Sequence, residues 1–176
     1  MKPIPKPTPD EYAPYAAVYV DLVPADGRML QHLSDNFKAV QQLVATLSEG
    51  QLLHRYAPGK WTIKEVLVHM VDDERIYAYR AMCFARGEQQ ALPGFEQEDY
   101  AANSGANERS VASIMEEYEA VRRSTIALFS SFTDVALARW GNANGYLCTV
   151  RGLLYHLAGH ELHHLKIIKE KYLGNT

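Results

Sequence analysis

Four of the chain's seven histidines, His156, His160, His163 and His164, crowd into one stretch near the C-terminus. At about 100° per residue, a helix through this stretch puts Val150, Leu153, Leu154, Leu157, Leu165 and Ile168 on one apolar arc. His164 falls within that arc and His160 at its edge. His156 and His163 lie further round, towards a polar flank. A histidine pair at i, i+4 can chelate a metal ion, because both rings project towards one point. The bland alternative is a pair of half-buried imidazoles bonded to backbone or carboxylate. The string His160-Glu161-Leu162-His163-His164 also reads as H-E-x-x-H, the zinc-protease pattern with Glu161 as general base. That chemistry needs a third ligand well downstream. Only 12 residues follow His164; they hold Glu170 and no histidine. The protease pattern is therefore incomplete, and a third ligand has to come from upstream.

His69 is the best upstream candidate. It borders an apolar stripe made by Ile63, Met70, Tyr77, Ala81 and Phe84. Asp73 and Arg80 share its stripe and Asp72 borders it, so a carboxylate is placed to accept the second N–H of a ligating imidazole and fix its tautomer. His32, near the start of a helix, and His54, in a loop, suit surface or capping roles better. Glu161 points into the apolar arc of its helix, and a buried carboxylate must be paired or protonated. Arg75, Arg80 and Arg151 are its candidate partners. Trp61 is expected to pack in the core or to wall a substrate pocket.

Four long amphipathic helices have to position these groups. The first is expected from Asp26, as N-cap, to about Ser48, with Leu30, Leu33, Phe37, Val40, Val44 and Leu47 inward. Thr62 caps the second, with Glu65 at the capping-box position, and it ends near Arg86-Gly87. The third runs from about Glu108 to Phe132. Thr149 caps the fourth, which continues to about Leu173. The segment Gly141-Asn-Ala-Asn-Gly145 reads as a loop, and no strand is expected outside the N-terminal arm. That arm, residues 1–25, carries six prolines and several tyrosines. It is expected to be extended, with Tyr15, Val18 and Tyr19 on one short helical turn, and to pack on a bundle formed by residues 26–176. The fold class is all-α, a four-helix bundle.

A chain of 176 residues with 47% hydrophobic and 22% charged residues is an ordinary globular protein with room for one sizeable core. A net charge of −3 offers no field for nucleic acid phosphates. Cys83 and Cys148 are too isolated for a disulfide framework or a thiolate zinc site. The N-terminus has no apolar signal region, and no apolar run approaches the ~20 residues of a membrane span. A cytoplasmic location is the default expectation.

The segments Lys60 to Arg75 and Thr149 to His164, together with the Tyr-rich arm, the Leu92-Pro-Gly-Phe95 loop and the Asn142-Ala-Asn-Gly145 turn, resemble the DinB-like superfamily. The closer resemblance is to its YfiT-like branch of metal-dependent hydrolases. The resemblance implies an up-down-down-up bundle, commonly a homodimer. It also implies one zinc, nickel or similar ion held by His69, His160 and His164, the set the helical wheel reaches separately. Asp72, Asp73, Arg80, His156, Glu161 and His163 are the surrounding candidates. Three neutral ligands leave the ion its charge and leave a position open. Two enzymatic readings follow for a small-molecule substrate: an external low-molecular-weight thiol activated for S-transfer, or a metal-bound hydroxide used for hydrolysis. A non-enzymatic metal-binding stress-response bundle is the third, and His156 closing the site as a fourth ligand would favour it.

Overall fold

Thr62 and Glu65 form a reciprocal capping box, with Thr62 Oγ1 accepting the Glu65 amide at 3.1 Å and Glu65 Oε2 accepting the Thr62 amide at 2.7 Å. Ser110 and Thr149 likewise accept amides three residues on, at 3.2 and 3.0 Å. These caps start three of the four long helices. The computed structural model describes residues 2–174. Its helices are α1 (Ala17–Val20), α2 (Met29–Val44), α3 (Glu49–Leu52), α4 (Ile63–Ala85), α5 (Gln97–Asn103), α6 (Val111–Ser130), α7 (Asp134–Leu137) and α8 (Val150–Ile167). A π-helical turn, Ile168–Tyr172, prolongs α8.

The buried side chains give the bundle its directions. One core cluster joins Met29 and Leu33 of α2 to Tyr77 and Phe84 of α4, Phe129 of α6 and Leu153 of α8. The other joins Val40 and Val44 to Ile63 and Leu67, Ile114 and Leu165. The start of α2 and of α8 therefore meets the end of α4 and of α6. That is an up-down-down-up four-helix bundle. Because α4 and α6 are parallel, the chain has to return along the bundle between them. Residues 86–110 make that crossover, and they pass beside the histidines.

Three expectations are corrected. Asp26 does not cap α2. Its carboxylate accepts from the Arg28 amide at 2.9 Å and contacts His32 Nε2, a local turn that delays the helix to Met29. The Gly141–Gly145 segment is not a loop but part of an antiparallel hairpin, β1 (Trp140–Ala143) and β2 (Tyr146–Thr149). Its turn places Asn144 and Gly145 at φ 52° and 80°, the left-handed pair that a two-residue hairpin turn requires. The arm is less extended than its prolines suggest. Pro9 and Pro14 each open a short 3₁₀ turn, and α1 follows.

The arm lies against the bundle. Ile4, Tyr12, Ala16 and Val20 enter the core, Tyr155 donates its hydroxyl to Ile4 O at 2.9 Å, and Arg151 holds Glu11. A Cβ on Gly159 would lie 2.0 Å from Tyr19 O, so glycine in α8 is what lets α1 approach. Among the described residues, no helix is long and apolar enough to cross a membrane.

Candidate metal centre

His69 stands in the first half of α4, and His160 and His164 in the second half of the antiparallel α8. The three rings converge. His160 Nε2 lies 3.2 Å from His69 Nε2 and 3.0 Å from His164 Nε2. With about 2.0–2.1 Å bonds, a tetrahedral ion sets its nitrogen ligands about 3.3 Å apart, close to these spacings. Burial pushes His69 down to about 4 and His164 down to about 3, and it holds His160 well below the usual histidine range. All three are neutral at neutral pH. With their protons on Nδ1 they aim lone pairs at one another; a divalent cation at the centre would turn that repulsion into three bonds. Among the described residues, these three are the group able to hold a metal ion.

The surroundings fit such an ion. Asp73 Oδ2 lies 3.3 Å from His160 Nδ1, is buried, and has no hydrogen-bond partner. Burial raises the Asp73 carboxyl to about 7. An imidazole ligated through Nε2 carries its proton on Nδ1, where this carboxyl can take it. The Trp61 ring packs on His69 with centroids 4.7 Å apart, and Trp61 Nε1 donates to Glu98 of α5 at 3.0 Å. Tyr19 of α1 sets its ring edge-on to His156, His160 and His163.

Two clefts open beside the centre. One, of about 190 Å³, is lined by His164, Trp61, Tyr56, Gln97 and Tyr172. The other, of about 290 Å³, is lined by His160, Tyr19, Tyr77, Arg80, Phe95 and Gln97, together with Asp73 and His156. The second approaches the lower end of the small-molecule range, about 300 Å³. Trp61 is thus a cleft wall, and Gln97 borders both clefts.

The flanking candidates separate. His156 does not face a polar flank: it is buried, and its ring stacks on Tyr77 at 4.3 Å. It stands outside the convergent group. His163 is half-buried against Tyr19. Asp72 turns to Arg75, 3.6 Å away, which itself reaches Glu117 of α6. Tyr79 is exposed and Tyr155 is occupied by the arm, so Tyr77 is the tyrosine hydroxyl of helix α4 or α8 that borders the cleft. His54 is exposed, as expected.

Glu161 is neither a general base nor a partner of Arg75, Arg80 or Arg151. It turns away from the clefts into the core, where Arg122 Nη2 donates to it at 3.0 Å and the Tyr118 hydroxyl at 2.5 Å. Arg122 also grips Glu74 with Nε and Nη2, both at 2.9 Å, and donates to Leu33 O. This buried junction ties all four long helices together. Sequence reading missed Arg122 and Glu74. Arg122 does fall on the inward stripe of α6 with Tyr118 and Thr125, which was the available signal.

Residues 32–168 match the DinB superfamily profile. The chain belongs to the DinB superfamily. A relative in this group from Oceanobacillus iheyensis, named "putative metal-dependent hydrolase", is 28% identical over 138 residues, spanning 77% of this chain and 78% of that protein. The DinB-like fold is also that of YfiT from Bacillus subtilis, described as "a probable metal-dependent hydrolase with an unusual four-helix bundle topology". The two superpose with a TM-score of 0.77 at 18% identity, over 88% of this chain and 91% of YfiT.

Proposed function

We propose that this protein is a metal-dependent enzyme, with His69, His160 and His164 holding one divalent ion, zinc or nickel, beside a small-molecule cleft. The observation that carries this reading is the meeting of three neutral Nε2 atoms from two helices at the edge of two clefts. An ion held there supplies Lewis acidity, lowering the pKa of a bound water or thiol. The protein's own groups do the rest. Asp73 orients His160, Trp61 and Tyr19 hold the rings and limit water, and the crossover supplies the outer wall.

Within that reading, S-transfer from an external small thiol to an electrophile is the reaction we favour. Neither Glu161 nor Cys148 is placed as a built-in base or nucleophile: Glu161 is occupied by Arg122 and Tyr118, and burial pushes the Cys148 thiol up to about 11. Hydrolysis is the second reading, favoured by the names of the relatives. Metal analysis of protein purified without a histidine tag should give one ion per chain. His69→Ala should abolish it and His156→Ala should retain it; unchanged metal in His69→Ala would sink the ligand assignment. Zinc- or nickel-loaded protein should then conjugate a small thiol to a broad electrophile. If it conjugates none but cleaves ester or amide probes, the hydrolase reading replaces it.

A further inference from the structure

A buried arginine in the second cleft lacks what the other buried arginine has. Arg122 and Arg80 are 2% and 4% exposed. Arg122 is gripped by two carboxylates. Arg80 has no carboxylate within ion-pair distance among the described residues. Its one hydrogen bond there runs from Nη2 to Pro93 O at 2.8 Å. Its remaining guanidinium N–H groups are not sealed in the interior, since they are absent from the buried unpartnered atoms. Asp73 acts on Arg80 from beyond ion-pair distance, so this largely buried cation has only a remote counter-charge, a costly arrangement unless a closer anion binds.

The surroundings say what the missing partner is. The guanidinium carbon lies 5.2 Å from the Tyr77 ring centroid and 6.0 Å from that of Phe95. Two rings therefore hold the group in place. A positioned guanidinium offers a fork of parallel N–H donors, which matches the two oxygens of a carboxylate. Arg80 shares its cleft with His160, so a molecule held by one end at Arg80 has its body alongside the candidate metal centre. Tyr15, Tyr77 and Phe95 give that body aromatic walls. Asp73 and Glu96 also line the cleft, so a dianionic phosphate would meet more repulsion than a singly charged carboxylate.

We propose that Arg80 is a specificity-determining residue that binds the carboxylate of a small, apolar-bodied substrate in the cleft beside the three histidines. The proposal rests on the metal-dependent reading only in calling that molecule the substrate; the carboxylate site itself stands without the ion.

The test uses metal-free full-length protein in excess chelator, titrated with benzoate and with neutral benzamide. Benzoate should bind at least about tenfold more tightly, as one charge-assisted fork contact warrants. In Arg80→Met the two probes should come within about twofold of each other, and Arg80→Lys, which keeps the charge and loses the fork, should fall between. A second measurement needs no variant: benzoate, and not benzamide, should shift the Arg80 Nε signal in the NMR spectrum of the unaltered protein. Equal binding of the two probes, an unmoved Arg80 signal, or discrimination that survives in Arg80→Met overturns the proposal. Zinc uptake is measured separately. Carboxylate selectivity in a protein that takes up no zinc would leave this site standing and remove the metal reading. Zinc uptake without selectivity would do the reverse.

Discussion

At the level of single residues, the two sides of α8 do opposite things with adjacent positions. His160 faces the clefts and its neighbour Glu161 faces the core, because about 100° separates consecutive side chains on a helix. The glutamate of the H-E-x-x-H string is held in the core by Arg122 and Tyr118, which leaves it unavailable as a general base. Glu161 serves the Arg122 junction instead, where one guanidinium faces two buried carboxylates. Removing the arginine would leave both carboxylates in the interior without compensation, so Arg122→Ala should lose about 3–5 kcal/mol of stability in denaturant titration. A loss under about 1 kcal/mol would mean that the junction is wetter than its burial indicates. Asp73 is tied to the other face. Its place beside His160 Nδ1 predicts that Asp73→Asn weakens zinc binding by about 10–100-fold in competition with a chromophoric chelator, with little change in helicity. Wild-type affinity in that variant would show that Asp73 does not orient the ring.

Among the elements, α1 is a single helical turn and yet it presses Tyr19 on three histidine rings. Its approach depends on Gly159. Alanine there would gain about 1 kcal/mol of helix propensity. The added methyl, however, would lie 2.0 Å from the Tyr19 carbonyl oxygen, and backbone cannot swing aside as a flexible side chain can. Overpacking of this kind costs about 1–3 kcal/mol, so Gly159→Ala should be a net loss in thermal melts and should loosen α1 in amide exchange. A rise in melting temperature would show that α1 docks elsewhere. The same contact marks where sequence reading stops. His160 and His164 were legible because helical periodicity turns a spacing of four into neighbours in space. His69 was legible only as the best remaining histidine on a helix with one apolar stripe. The Asn144-Gly145 hairpin had a readable signal, the dipeptide whose left-handed φ values such a turn requires, but its four-residue strands are too short to show alternation. The partner of Glu161 was not legible. No spacing along α8 says which residue of α6 will pack against it, so the candidates were Arg75, Arg80 and Arg151, and the place of Arg122 on the inward stripe of α6 gained meaning only with the bundle's directions.

For the whole molecule, the up-down-down-up order creates the site. It makes α4 antiparallel to α8, which brings His69 to the His160 pair, and it forces the crossover that carries Phe95 and Gln97 past them. Collecting so many buried imidazoles in one place has a thermodynamic consequence. In metal-free protein His69 titrates at about 4, and His156 and His164 at about 3, against 6.5 for an unhindered histidine. Below about pH 6.5 the unfolded chain binds protons that the folded chain refuses. These groups therefore contribute stability that is complete above pH 6.5 and is lost as the pH falls towards 3–4. Asp73 acts in the opposite sense. Its carboxyl, raised from 3.8 to about 7, favours the folded state as the pH falls through that interval, but it is one group against several histidines. Glu11, Glu65 and Glu117, whose carboxyls are held low by arginines and hydrogen bonds, lose their contributions only below about 4.5. A decline that begins near pH 6.5 is thus the signature of the histidines, on the order of a few kcal/mol by pH 4.5. An ion bound to the folded state adds RT ln(1 + [L]/Kd), and the same protons compete with it. Thermal melts with zinc and with chelator should therefore diverge at pH 7.5 and converge by pH 4.5. Curves that stay parallel across this range would mean that the ion does not sit on the histidines at all.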